Sequence, residues 1–513
     1  MRRGIPRRSV LIGAATVPLA ATGLAGTATG HAGAATAATG TASPATPAAK
    51  RPKVLVIGLD GAMLHRIRDA EAPHLKRLMA DGLAAPSSLY TAPMARTESG
   101  PGWSTVLTGV WPDKHKVRDN SFSGADLGTY PDFLTYVERE KPALRTYAVA
   151  SWGPIPDTII SGEVDDKVAT PGEEYDAGTT ERAVAQLRDG QPDALFLQLD
   201  NVDHAGHESG GASQEYLDAL AGVDAQVGEL LAAVEGRPSY GEEDWLIMVT
   251  ADHGHTDAGG HGGSDWNERQ TFVIANGPGI AAGSERDDVR LVDVAATALA
   301  HLGIEADPAW KLDGVPLGEK VADAFDSVRG ELEKAVDETG IAPSVLGWTH
   351  TAPDGWKVDN ARMGGGGVTE WRGWSFTTDA FWTRTQADQR RELNVRSRGV
   401  FAVADPDEWA DGQDTEGTFD STLVSPAWKV TGGTTATLSF VSHYLHDPGQ
   451  TAQVLVAYDD GEPRTVKTYG ADAVARHEKL TLDVPAGASS ARVSFRCAGD
   501  NTWFWALDAV RLG

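Results

Sequence analysis

Lys53-Val54-Leu55-Val56-Ile57-Gly58-Leu59-Asp60 is the stretch that decides the fold. It is a short, continuous apolar run with β-branched residues and a glycine near its end, the pattern of a strand buried on both faces in a parallel sheet. Similar runs recur at Ala194-Leu195-Phe196-Leu197-Gln198-Leu199, at Trp245-Leu246-Ile247-Met248-Val249-Thr250 and at Thr271-Phe272-Val273-Ile274-Ala275. Between them the spacing of apolar residues predicts helices, among them Pro73 to Asp81 and Gln214 to Val234. Strands alternating with helices define an α/β class with a mostly parallel sheet flanked by helices. Three of the runs end beside polar residues, at Asp60, at Asp200-Asn201 and at Asp252-His253. Open α/β sheets place their sites just past the carboxyl ends of such strands.

Outward from this core the character changes. Gly318 to Gly340 reads as a charged helical stretch, and from Ala342 onward short strands alternate with turn signals, the layout of an all-β, jelly-roll-like sandwich. Nine of the 15 tryptophans fall in that last part, as core packing or as an aromatic face for carbohydrate or a cell surface; buried aromatics are the commoner outcome. Upstream, Arg7-Arg8-Ser9-Val10-Leu11-Ile12 and the weakly apolar run after it have the layout of a twin-arginine export signal, with a small-residue cleavage site at Ala32-Gly33-Ala34. The expected organisation is a signal peptide over 1–34, an Ala/Thr/Pro-rich linker over 35–50, an α/β domain over 51–320, a connecting helix over 321–341 and a sandwich over 342–513. The expected location is therefore secreted or extracytoplasmic.

The bulk composition of the 513 residues narrows the partners. A formal net charge of −27 disfavours nucleic acid and anionic membranes. Past the signal, no segment is long and apolar enough for a transmembrane anchor. Cys497 is the one cysteine, which excludes both an intramolecular disulfide and a cysteine metal cluster, so any metal must be held by His, Asp and Glu.

Candidate ligands of that kind gather at the strand ends. Asp252-His253 precedes Gly254 in a tight turn, and Asp203 and His207 stand four apart on one side of a helical turn. His261 lies in a Gly260-His261-Gly262-Gly263 loop, and Asp60 follows the first strand. Each has a bland reading, as a satisfied turn, a helix cap or a surface histidine. Together they supply three carboxylates and three imidazoles, the donor set that suits paired zinc. Thr97, Ser99 and Ser104 offer hydroxyls in a Gly/Pro-rich turn before a helix expected from Ser104 to Leu107. At a helix N-terminus a hydroxyl meets backbone N–H groups that favour an anion, although serine there is often only a cap.

The pieces Gly58-Leu59-Asp60-Gly61, Ser99-Gly100-Pro101, Thr108-Gly109-Val110-Trp111-Pro112-Asp113-Lys114-His115 and Asp119-Asn120 have a familiar order. With Asp203-His204-Ala205-Gly206-His207, Thr250-Ala251-Asp252-His253-Gly254, Gly260-His261-Gly262-Gly263 and Val292 to Gly314, they resemble the alkaline phosphatase superfamily, in its type I phosphodiesterase/nucleotide pyrophosphatase branch. The resemblance covers about Lys53 to Leu317. It implies a metal-dependent hydrolase of small-molecule phosphate esters with two Zn2+ ions or another divalent pair. Asp203, His207 and His261 match the ligands of one ion; Asp60, Asp252 and His253, joined by the nucleophile, match those of the other. The family places its nucleophile two residues before a proline that precedes a Thr-Gly pair by seven; Pro101 and Thr108 fit, which selects Ser99 over Thr97. His255 is the alternative to His261.

The implied reaction passes through a phosphoseryl intermediate on Ser99. Phosphodiesterase relatives usually have threonine as nucleophile and asparagine just after the proline, whereas this chain has Ser99 and Gly102, so monoester against diester stays open; Arg96 and Asn120 are the candidate substitutes for the missing donor. Sulfatases share the scaffold, but Trp103 stands where their pattern has arginine. Phosphonate hydrolases and phosphate-transferring mutases fit the same residues, and a non-catalytic polymer-binding secreted protein is the reading of a different class.

Overall fold

The computed structural model describes residues 49–319 and 323–513. The expected signal peptide and all but the last two residues of the expected linker lie outside them.

The opening run forms β1 (Arg51–Leu59), at the middle of an eight-stranded sheet. The others are β2 (Leu83–Ser88), β3 (Thr146–Ala150), β4 (Asp166–Ala169), β5 (Ala194–Leu199), β6 (Glu243–Thr250), β7 (Gln270–Asn276) and β8 (Ser284–Glu285), in the order β4-β3-β5-β1-β6-β7-β2-β8. β1 runs parallel to both β5 and β6, and β3 parallel to β4 and β5, whereas β7 is antiparallel to β6 and β2. The sequence is uniformly apolar in β1 because both faces are covered. Val54 and Val56 pack with Trp103, Val106 and Leu107 on one side. Leu55, Ile57 and Leu59 pack with Leu75, Leu220 and Val227 on the other. Helices over Pro73–Ala80 and Gln214–Glu235 fall where periodicity predicts them.

From Phe325 on, the chain builds a seven-stranded and a six-stranded sheet whose named strand pairs are all antiparallel. Their shared core holds Trp371, Trp374, Trp382, Trp409 and Trp505 at no more than 0% exposure, with Trp348 and Trp356 also buried. Seven of the nine tryptophans are therefore packing residues. The connecting helix expected over 321–341 is not continuous: the described part makes a 3-10 helix, Phe325–Glu331, and then a two-residue strand, Glu333–Lys334, that joins the seven-stranded sheet. Phe325 and Val328 anchor the sandwich core, so a tertiary contact overrides the charged helical pattern.

Lys50 to Gly513 form one compact unit. Val395 and Ala475, from the β region, belong to the same apolar cluster as Val54 and Val56. Around that contact Arg396 donates to Asp313 (3.0 and 3.1 Å) and Asp113 (2.9 Å), and Arg398 donates to both oxygens of Asp293 (2.7 and 2.8 Å).

Candidate active site

The carboxyl ends of β1, β5 and β6 bring the sequence candidates together. Asp60 follows β1, Asp252 and His253 follow β6, and the helix Asn201–Ser209 after β5 carries Asp203 and His207. Ser99 begins the helix Ser99–Thr108, five residues earlier than periodicity suggests. Pro101 lies in the first turn, where a helix needs no N–H from it, so the Ser-Gly-Pro-Gly segment folds as helix rather than as the turn it resembles.

Asp60, Asp252 and His253 are wholly buried and close on one point. His253 Nε2 lies 3.5 Å from Asp60 Oδ1, 3.2 Å from Asp252 Oδ2 and 3.3 Å from Ser99 Oγ. Each carboxylate has one oxygen held and one bare. Asp60 Oδ2 accepts from Trp103 Nε1 (2.8 Å) and Gln198 Nε2 (2.9 Å), and Asp252 Oδ1 accepts from the Gly61 N–H (3.2 Å). Asp60 Oδ1 and Asp252 Oδ2 have no hydrogen-bond partner among the described residues. Burial, reinforced by neighbouring carboxylates, raises both acids well above their ordinary range, and burial also drives His253 well below the usual histidine range. His253 Nδ1 lies 3.1 Å from the Gly254 carbonyl, which assigns it the proton and leaves Nε2 a lone pair. Unpaired buried oxygens facing a neutral imidazole are costly in themselves and fit a divalent cation.

The second group is more open. Asp203 Oδ2 is 3.4 Å from His207 Nε2, and Asp203 Oδ1 is 3.5 Å from His261 Nε2. The two imidazole nitrogens face each other at 3.0 Å. His261 Nδ1 donates to the Thr97 carbonyl at 2.7 Å, again leaving Nε2 as acceptor, and burial lowers its pKa. The His207 side chain is 50% exposed, so this half of the site faces solvent. His255 is also here, buried, with Nε2 at 2.8 Å from Asp203 Oδ1. Burial works to raise the Asp203 acid, but the His255 bond and the surrounding imidazoles outweigh it and hold it low. A Cβ on Gly206 would come within 2.6 Å of the His255 ring, so the glycine inside the Asp203–His207 turn makes room for it.

The two substrate candidates differ. Arg96 pairs with Glu98 at 2.9 Å and reaches the Gly262 carbonyl at 3.4 Å, bracing the His261 loop. Asn120 Oδ1 accepts from the Gly100 N–H at 2.6 Å, which fixes its amide beside Ser99. Gly102 has a steric reason to be glycine: a Cβ there would lie 2.6 Å from the Asp252 carbonyl oxygen and 2.7 Å from its Cβ. An asparagine at that position would collide with a candidate ligand.

Sequence reasoning passed over Trp103 and Gln198 as carboxylate donors; Asp200, marked at a strand end but not among the candidate ligands, accepts from Gln198 (3.1 Å) and Tyr175 (2.5 Å). Gly58 makes room for Trp103, since a Cβ there would lie 2.4 Å from its ring.

The profile of the type I phosphodiesterase / nucleotide pyrophosphatase family matches residues 54–400. Among curated proteins, the chain is 31% identical over 277 residues to GPI ethanolamine phosphate transferase 1 of Gibberella zeae, covering 47% of this chain and 28% of that one. It is 24% identical over 233 residues to ectonucleotide pyrophosphatase/phosphodiesterase family member 3 of Rattus norvegicus, covering 40% and 25%. The matches span 18%, 28% and 35% of the length of three GPI ethanolamine phosphate transferases. Among solved structures, murine ectonucleotide pyrophosphatase / phosphodiesterase 5 matches with a TM-score of 0.42 at 14% identity, over 50% of this chain and 96% of that one.

Proposed function

Because the chain belongs to the type I phosphodiesterase / nucleotide pyrophosphatase family, we propose that it is an exported, metal-dependent hydrolase of small phosphate esters, with Ser99 as nucleophile. The observation that carries this reading is the seat of Ser99 Oγ at a helix start, 3.3 Å from His253 Nε2 and beside two buried carboxylates that each have one oxygen without a partner among the described residues. Two divalent cations, zinc by their donor set, would be held by Asp60, Asp252, His253 and Ser99 and by Asp203, His207 and His261, and would supply charge that acidifies the hydroxyl and neutralises the leaving oxygen.

The remaining roles fall to the chain itself. Ser99 Oγ gives its proton to solvent and attacks phosphorus; the new Oγ–P bond forms as the bond from phosphorus to the leaving oxygen breaks, and that oxygen takes a proton from water. Water then cleaves the phosphoseryl ester and restores the hydroxyl. Asn120, with Oδ1 committed to Gly100, presents its NH2 group to a phosphoryl oxygen, the donor role that Gly102 cannot fill. The open side at His207 admits water and releases the alcohol. Trp103, buried against Gly58, puts no cation where the sulfatase pattern has arginine, which favours phosphate over sulfate. Among the described residues no helix is long and apolar enough to cross a membrane. The proposed export rests on the twin-arginine pattern at Arg7-Arg8 alone.

The test is Ser99→Ala, assayed with p-nitrophenyl phosphate, bis(p-nitrophenyl) phosphate and p-nitrophenyl sulfate alongside metal analysis. Hydrolysis of the phosphate substrates should vanish while two metals per chain remain. Substantial phosphatase activity in that variant refutes the assignment of Ser99, and sulfate turnover by the parent protein refutes the substrate class.

A further inference from the structure

A cavity of about 350 Å³ lies between the α/β sheet and the β region, and its lining includes none of the carboxylates and histidines of the cluster. That volume lies within the usual range of small-molecule sites. β2 contributes Ser87 to its wall and the β region contributes Thr378. Arg290 also lines it, at 5% exposure. The hydrogen bond of its guanidinium goes to the Ser397 carbonyl at 2.6 Å, and no carboxylate of the described residues stands within ion-pair distance. Burial, with the like charge of Arg398, lowers its pKa against the attraction of Asp379, Asp293 and Asp508. A buried cation with one neutral hydrogen-bond partner among the described residues is costly unless something anionic completes it.

The rest of the wall defines the ligand. Trp266, Leu332 and Leu346 give it an apolar surface. Asp287 and Asp379 line it too, but each has its own arginine, Arg329 and Arg269 respectively. With both carboxylates neutralised, Arg290 is the lining charge left without an ion pair among the described residues, so the cavity suits a monoanion better than a phosphate dianion. We propose that this cavity binds a small organic carboxylate with an aromatic or short aliphatic body, its carboxylate on Arg290 and its body against Trp266 and the two leucines.

The test is titration calorimetry of the metal-loaded full chain with 2-naphthoate and with uncharged 2-naphthamide, in saturating orthophosphate to block the metal cluster. Naphthoate should bind one to one and naphthamide at least tenfold more weakly, the scale of one charged hydrogen bond. Arg290→Met should weaken naphthoate by a similar factor. Because that variant also loses the Ser397 contact, Ala380→Leu serves as a second one, which fills the cavity from its lining and should abolish binding. Equal affinity for acid and amide, no saturable binding at millimolar naphthoate, or unchanged affinity in Ala380→Leu would each overturn the proposal.

Discussion

Replacing Gly102 with alanine adds a single methyl group behind the metal cluster, and the structure sets its cost. The new Cβ would stand 2.6 Å from the Asp252 carbonyl oxygen, where ordinary contact begins at 3.4 Å. Relief requires a shift of roughly 0.8 Å by Asp252 or by the helix that starts at Ser99, each of which carries a group of the site. Overpacking of this kind costs about 1–3 kcal/mol of stability. The larger effect falls on catalysis, because misplacement by about 1 Å can cost on the order of 10²-fold. We expect kcat on p-nitrophenyl phosphate to fall roughly 10–100-fold, with KM little changed, since the perturbation reaches the reacting groups and not the outer substrate contacts. Gly222→Ala is the control, an exposed glycine in the helix Gln214–Glu235 with nothing within 4 Å of its Cβ, which should gain about 0.5–1 kcal/mol and keep its activity. Steady-state kinetics, metal analysis and thermal melts of the three proteins decide the matter. A Gly102→Ala protein with the parent kcat would refute the argument that this glycine is reserved for the approach of Asp252.

Two further predictions follow the charges. In chelator-treated protein, Asp60 is raised above its unfolded value, so the folded state binds more protons and stability is lost as pH rises above about 4; metal-free Asp60→Asn should therefore melt higher than the metal-free parent at pH 7, the gap closing toward pH 4, and a gap independent of pH contradicts the reading. Arg396→Met removes a buried guanidinium from Asp313, whose side chain is 1% exposed, and should lower stability by about 3 kcal/mol in denaturant titrations; a change under about 1 kcal/mol would show that Lys114, 2.7 Å from the same carboxylate, suffices.

The α/β class was legible because it rests on local pattern. A strand buried on both faces must be apolar at every position, and Val54 to Leu59 announces this without any partner in view. The candidate ligands were legible for a related reason, since Asp60, Asp203 and Asp252-His253 each follow a strand end that the pattern marks. Other features depend on groups far apart in the chain. Whether Asp60 has a bare oxygen depends on Trp103 and Gln198, and whether position 102 tolerates a side chain depends on Asp252, which is 150 residues away. The stretch 325–334 is a short 3-10 helix followed by a strand and not part of one continuous helix, because its charge pattern is local, whereas the sandwich core that takes Phe325 and Val328 is not. Periodicity and donor chemistry are properties of short segments, and the sequence alone determined those. Desolvation, hydrogen-bond satisfaction and close packing belong to surfaces that only the tertiary fold brings together. Among the described residues, that fold left one oxygen each of Asp60 and Asp252 bare beside His253, and buried Arg290 without an ion-pair partner.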